Sequence, residues 1–259
     1  MFLFFVKNLA NAKEKEKEIE MEPLYVVTRS FQAGAGRSDK PFDQKTFDEK
    51  VASPLARLLG CGTVRSIVVA VNGETGNSLA ETFDLGDRTT PPLAALKSPF
   101  PEEVKSGRII PHLCHLWGKN PGSATALNEG AYIAWKSGAQ WVLNWSPEIE
   151  MDGDRIAEVL AFAGESNLSV AGFLRKRWWE RPQWHVVQNT AALWRLDAIV
   201  PIRGFAVTCN GTGRTIFIEG FGDVPVAGME DFHALLQLLK KDLDFRWGML
   251  GTSRPLFWD

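Results

Sequence analysis

Two adjacent carboxylates, Glu230 and Asp231, follow Gly228-Met229 and precede an apolar pattern at Phe232, Leu235, Leu236 and Leu239. Spacings of three and four predict a helix whose first turn carries both acids. One carboxylate there caps unpaired amide groups and meets the positive end of the helix dipole. That role accounts for one acid more easily than for two. Turned into a cleft, Asp231 accepts a proton from a substrate hydroxyl, which is general-base work. A second stretch with chemical content is Arg175-Lys176-Arg177-Trp178-Trp179-Glu180-Arg181, either a solvated loop or a surface that meets phosphate oxygens and a ring. His112, Cys114 and His115 lie close together, but no second His/Cys cluster stands at zinc spacing, so strand-end packing is the reading and no metal ligand is assigned.

The elements that must position such groups belong to a chain of 259 residues, 45% hydrophobic and 23% charged. Those values suit a globular protein with a substantial core. Lysine and arginine (29) nearly balance aspartate and glutamate (31), so the net charge of -2 gives no electrostatic case for nucleic acid or an anionic membrane. Three dispersed cysteines argue against a disulfide framework and fit a reducing, cytoplasmic setting. Ten tryptophans against two tyrosines point to core or pocket lining more than to stacking on a ligand. The apolar run at residues 1–6 is too short for a membrane span or a signal sequence, and no transmembrane segment is expected. Alternating Lys and Glu then make residues 1–22 a charged, flexible tail, which leaves 23–259 as one domain.

Within that domain, residues 24–28 form a first β-prone run that feeds a polar, glycine-bearing segment. Phe47, Val51, Leu55, Leu58 and Leu59 predict a helix, kinked at Pro54 and stopped at Gly60. The next run, 66–71, is apolar on both faces and reads as an inner strand of a parallel sheet covered by helices on each side. A short helix or loop around 93–96, a strand at 108–111 ended by its proline, and a turn at 118–123 follow. A helix with Leu127, Ala131, Ala134 and Trp135 on one face ends at Gly138, and a strand at 140–143 stops at Asn144-Trp145-Ser146. Then come a helix at 152–163, a strand at 168–174, and a strand or helix pair at 186–187 and 191–195. A late hairpin joins 205–209 to 215–218 around Asn210-Gly211-Thr212-Gly213. The tail from 245 has too little periodicity to assign. In open α/β sheets ligands sit outside the carboxyl ends of the strands, so the residues after Thr28, Val71 and Leu143 are where a site is sought.

In segment order these pieces resemble the inverting nucleotide-sugar glycosyltransferases of the GT-A fold, the family-two-like group, across residues 23–243. Val71-Asn72-Gly73 is similar to the family's Asp-Asp-Gly segment, with Asn72 in place of the base-recognising acid. Residues 122–130 resemble its glycine, alanine, arginine-asparagine and glycine pattern, keeping Asn128 and Gly130 but carrying Leu127 for arginine. Gly204-Phe205 resembles its Gly-Gly-Phe element, and Gly228-Met229-Glu230-Asp231 its Glu-Asp motif. The resemblance implies a mostly parallel α/β sheet flanked by helices. It also implies a nucleotide-diphosphate sugar near Thr28, Arg29, Asn72, Asn128, Asn144, Trp145 and Ser146, an acceptor hydroxyl of unknown identity, and Asp231 as catalytic base beside Glu230.

The chain departs from the family at the metal motif, where Asn144-Trp145-Ser146 stands for Asp-x-Asp. Magnesium and manganese are the divalent ions the family implies. Neutral oxygens are poor magnesium ligands, so either Glu148, Glu150 or Asp152 supplies a displaced ligand, or Arg175, Lys176, Arg177 or Arg181 neutralises the leaving diphosphate instead. Two other readings stand beside the transferase. The changed positions 72, 127, 144 and 146 suit a sugar-nucleotide-binding relative without transfer chemistry. The loop Gln32-Ala33-Gly34-Ala35-Gly36-Arg37 suits a nucleotidyltransferase, which would also need an acidic metal pair.

Overall fold

The computed structural model describes residues 24–30, 44–72, 99–114, 123–147, 149–173, 191–205, 215–218, 222–225, 230–241 and 245–250. Side chains at 29, 30, 46, 47, 71, 72, 113, 114, 123, 215–218, 222–225 and 230–233 are outside that description.

Apolar residues on both faces make β1 (Leu24–Ser30) and β2 (Val64–Asn72) interior strands, and β2 lies between β1 and β3 (Ile109–Cys114). Pro111, which lacks an amide to donate, is tolerated because β3 is an edge strand. On the other side of β1 come β4 (Trp141–Trp145), β6 (Ala191–Arg195), β5 (Val170–Phe173) and β9 (Trp247–Leu250). The seven strands run in the order β3-β2-β1-β4-β6-β5-β9, and β6 alone is antiparallel to its neighbours. The sheet is therefore mostly parallel, as expected. A separate pair, β7 (Thr215–Ile218) and β8 (Gly222–Pro225), forms a late antiparallel hairpin. Its first strand is the expected one, but its partner is β8; residues 206–214, which held the expected partner and turn, lie outside the described residues. The expected segments around 93–96, 118–122 and 186–187 lie outside them too.

Alternation along β1 builds two cores. Leu24 and Val26 face α2 (Ser53–Leu59) and α5 (Gly153–Glu165), while Tyr25 and Val27 face α4 (Ser123–Lys136), α6 (Leu196–Ile199) and α7 (Glu230–Lys241). Helices thus cover both faces of the sheet. Ahead of α2, the short helix α1 (Gln44–Phe47) continues into a π turn at Asp48–Ala52, and Pro54 sits in the first turn of α2. The irregularity expected at Pro54 is thus taken up by the π turn just before it, because Pro54 has no amide for the carbonyl four residues back. A further short helix, α3 (Pro101–Lys105), leads into β3.

Two apolar stripes are rotated from their sequence expectation. On α4 the buried apolar side chains are Ala124, Leu127, Ala131 and Ala134, whereas Trp135 is 42% exposed. Small side chains let the helix lie close to β1, and a Cβ on Gly130 would stand 2.4 Å from a Val27 methyl. On α7 Ala234, Leu235 and Leu238 are buried and Leu239 is exposed. Strand β9 falls in the tail that periodicity leaves unassigned; its four residues are all half-buried, so they carry no alternation to read.

Candidate functional site

From β1 the chain builds outward through β2 to β3, then crosses back to lay β4 on the opposite side of β1. The strand order reverses between β1 and β4, and such a reversal opens a crevice outside the carboxyl ends of the two strands. Register places Val27 beside Asn144 and Thr28 beside Trp145 at that point. On the other flank Ser30 pairs with Val71, so Asn72 ends β2 one residue further along. Thr28, Arg29, Asn72, Asn144, Trp145 and Ser146, expected together from sequence, are therefore gathered on three adjacent strand ends. The side chains of Arg29 and Asn72 lie outside the described residues.

Polar groups at this reversal are buried. Thr28 is 2% exposed and Asn144 is fully enclosed, on strands whose other buried residues are apolar. Among the described residues the Thr28 Oγ1 has no hydrogen-bond partner. A buried hydroxyl without a partner costs roughly 1–3 kcal/mol, and Thr63, Thr125 and Trp194 carry further buried polar groups without one among the described residues. Trp145 is buried in the α2/α5 core, and its indole N–H donates to the Ile149 carbonyl at 2.8 Å. The Ile149 amide in turn donates to the Ser146 carbonyl at 2.9 Å. Trp145 thereby shapes the turn that follows β4, and Ser146 sits half-buried at its start.

Asn128 lies on α4, away from the strand ends, with both polar atoms engaged. Its Nδ2 donates to the Phe205 carbonyl at 2.8 Å, and its Oδ1 accepts the Phe205 amide at 2.7 Å. Gly204 takes a left-handed backbone (φ 75°), and a Cβ there would stand 2.2 Å from the Asn128 Oδ1. The two sequence motifs that carried Asn128 and Gly204-Phe205 are thus one contact, a link between α4 and the segment after α6.

Glu230 and Asp231 open α7, as the spacing predicts. Their side chains lie outside the described residues. Helix α7 is the element before β9, which runs parallel to β5.

The described donors do not fit a divalent cation at the end of β4. Asn144 and Ser146 bring no charge, and Asn144 is enclosed on the α4 side of the sheet. Of the acids considered as displaced ligands, Glu150 pairs with Arg57 at 3.4 Å and Asp152 accepts the Arg155 amide at 2.9 Å as the N-cap of α5. Glu148 and the basic stretch 175–181 lie outside the described residues, as does the loop 32–37. No group of three or more His, Cys, Asp or Glu suited to a metal occurs among the described residues, and no described helix is long and apolar enough to cross a membrane.

Sequence reasoning missed the pair His112–Glu129, which joins edge strand β3 to α4 with Nε2 and Oε2 2.5 Å apart. No local pattern links positions 17 apart on a strand and a helix; only the crossover from β3 to α4 brings them together. Cys61, buried near the start of α5, has its thiol pushed up by burial and then by the charges of Asp152 and Asp154.

No protein-family model and no curated protein matches the sequence. Among solved structures the chain is similar to S. aureus TarS 1-349, with a TM-score of 0.51 and 11% identity over 90% of this chain; it spans 59% of that structure's length. It is also similar to CMP:2-keto-3-deoxy-manno-octonic acid synthetase complexed with CTP, at 12% identity and a TM-score of 0.49, over 91% of this chain and 93% of that one. The likeness to the TarS structure is one of fold, a mostly parallel α/β sheet with helices on both faces.

Proposed function

We propose that the chain is a transferase for a nucleotide-diphosphate sugar, with the donor lying across the carboxyl ends of β1, β2 and β4. The observation that carries this reading is the strand-order reversal between β1 and β4, where buried Thr28 pairs with Trp145 and buried Asn144 with Val27. The Thr28 hydroxyl and the strand-end amides supply neutral hydrogen bonds to the donor. Asp231, at the start of α7, takes the proton of the acceptor hydroxyl, so that its oxygen attacks the anomeric carbon from the face opposite the diphosphate. One displacement forms the new glycosidic bond, breaks the bond to the diphosphate and inverts the stereochemistry. The contact of Asn128 with Phe205 makes Asn128 a positioning residue for the segment after α6. No step is routed through a metal.

Asp231→Asn tests the assignment of the base. Turnover should fall on the order of a hundredfold to ten-thousandfold, with donor affinity nearly intact. Unchanged turnover would remove Asp231 from the mechanism.

A second reading, a sugar-nucleotide-binding relative without transfer chemistry, is favoured by neutral Asn144 and Ser146 and by the engagement of Glu150 and Asp152 elsewhere. Donor binding without either hydrolysis or transfer across a panel of hydroxyl acceptors would select it.

A further inference from the structure

A cleft of about 150 Å³ lies between α4 and the segment of α6 with its following 3-10 turn (Val200–Ile202). It is separate from the strand-end crevice. Tyr132 lies nine residues into α4 from Ser123, about 13 Å along the axis at the usual rise per residue. Ala131, Ile199, Val200 and Gly204 give the cleft a predominantly apolar wall, and Tyr132 and Arg203 stand at its mouth. The Asn128 side chain also borders it, with both polar atoms engaged by Phe205.

Two features of the mouth call for a ligand. First, Tyr132 is 53% exposed beside the exposed Trp135, and the Lys136 ammonium lies 5.5 Å and 5.4 Å from their ring centres. Exposed aromatic area next to a concave apolar wall is the composition of a small-molecule site more than of a solvated helix face. Second, Arg203 caps the 3-10 turn in the left-handed region, at φ 63°. That position favours glycine or asparagine, and a residue with a long side chain holds it at an energetic cost. Arg203 is exposed and makes no ion pair among the described residues, so no partner seen there accounts for the choice.

We propose that this cleft binds a small aromatic carboxylate, its ring against Tyr132 and the apolar wall and its carboxylate on the Arg203 guanidinium. A dry cavity of about this volume accommodates a single benzene ring. The guanidinium fork matches a carboxylate with two parallel N–H donors, and Lys136 adds positive charge at the rim. Hydroxylated rings suit the wall poorly, because their hydroxyls would lose water without gaining partners.

The test is calorimetric titration of the full chain with sodium benzoate at fixed ionic strength, with benzyl alcohol and sodium glucuronate as comparison ligands. Benzoate should bind about tenfold or more tightly than either, since the alcohol lacks the charge and glucuronate lacks the apolar ring. Arg203→Gly should weaken benzoate binding about tenfold or more while melting at an equal or higher temperature, because glycine relieves the backbone. Arg203→Gln should weaken binding likewise without the gain in melting temperature, and Tyr132→Ala should weaken it while the fold is retained. Absence of benzoate binding, equal binding of glucuronate or benzyl alcohol, or full binding by both Arg203 variants would overturn the proposal.

Discussion

The contact between Asn128 and Gly204-Phe205 ties together two segments 77 residues apart, and its energetics can be worked from the geometry. Asn128→Ala removes two hydrogen bonds to the Phe205 backbone, each with a net contribution of about 1 kcal/mol. The better helix propensity of alanine offsets roughly 0.5 kcal/mol, and partial loss of solvation at Phe205 adds to the cost, leaving a destabilisation of about 2 kcal/mol. Gly204→Ala has two separate costs. The left-handed backbone costs a residue with a Cβ about 1 kcal/mol, and the approach to the Asn128 Oδ1 adds about 1–3 kcal/mol because the Asn128 amide is held in place through both its Oδ1 and its Nδ2. In the double variant the oxygen is gone and only the backbone cost remains beside the lost hydrogen bonds, about 3 kcal/mol altogether. The cycle should therefore show a coupling of about 1–3 kcal/mol. Urea unfolding of the four proteins, with equal slopes against denaturant, measures it. Additivity of the two substitutions within about 0.5 kcal/mol would refute the contact as the source of either effect.

Other expectations follow from individual sites. Gly130→Ala should destabilise by about 1–3 kcal/mol despite its helix propensity, since the new methyl meets Val27, and Val27→Ala should restore part of the loss; urea unfolding reads both. Thr28→Val replaces a buried hydroxyl lacking a partner by a methyl of similar shape, so it should leave unliganded stability unchanged or raise it by about 1 kcal/mol while weakening donor binding. The thiol of Cys61 is pushed up in the folded protein, so the folded state keeps its proton where the unfolded state loses it. Stability should be constant below the ordinary thiol range and fall as pH rises through it towards the raised value, with a slope of at most about 1.4 kcal/mol per pH unit. Comparison of denaturation midpoints for the wild type and Cys61→Ala, which should lack that slope, checks the sign.

The layering of this protein was readable from its sequence because its inner strands are apolar on both faces while its helices are amphipathic. Residues 66–71 announced an interior strand, and Ile156, Val159, Leu160 and Ala163 announced an amphipathic helix on the sheet. Local pattern failed where the partner decides the outcome. Trp135 shares a helical spacing with Ala131 and Ala134, yet the stripe centres on small residues because Val27 approaches α4 at Gly130. Strand β9 carries no alternation, and only its parallel pairing with β5 identifies it as a strand of the sheet. At the candidate site, the gathering of Thr28, Asn72 and Asn144 followed from the rule for strand ends. The roles of Trp145 and Asn128 as shapers of backbone did not, since a hydrogen bond to a distant carbonyl leaves no trace in residue type. The acids at 150 and 152 could be proposed as ligands only until Arg57 and the α5 amide were seen to engage them.

The proposed function rests on a nucleotide-diphosphate sugar occupying the strand-end crevice between β1 and β4. Calorimetric titration of the wild type and Thr28→Val with the uridine, guanosine and thymidine diphosphate sugars, with and without manganese, tests it most directly. Saturable binding of one nucleotide class is expected, with stabilisation of the fold by about 2.7 kcal/mol at a hundredfold excess over Kd and weaker binding by Thr28→Val. Absence of binding across the panel, or binding that Thr28→Val leaves untouched, would contradict it.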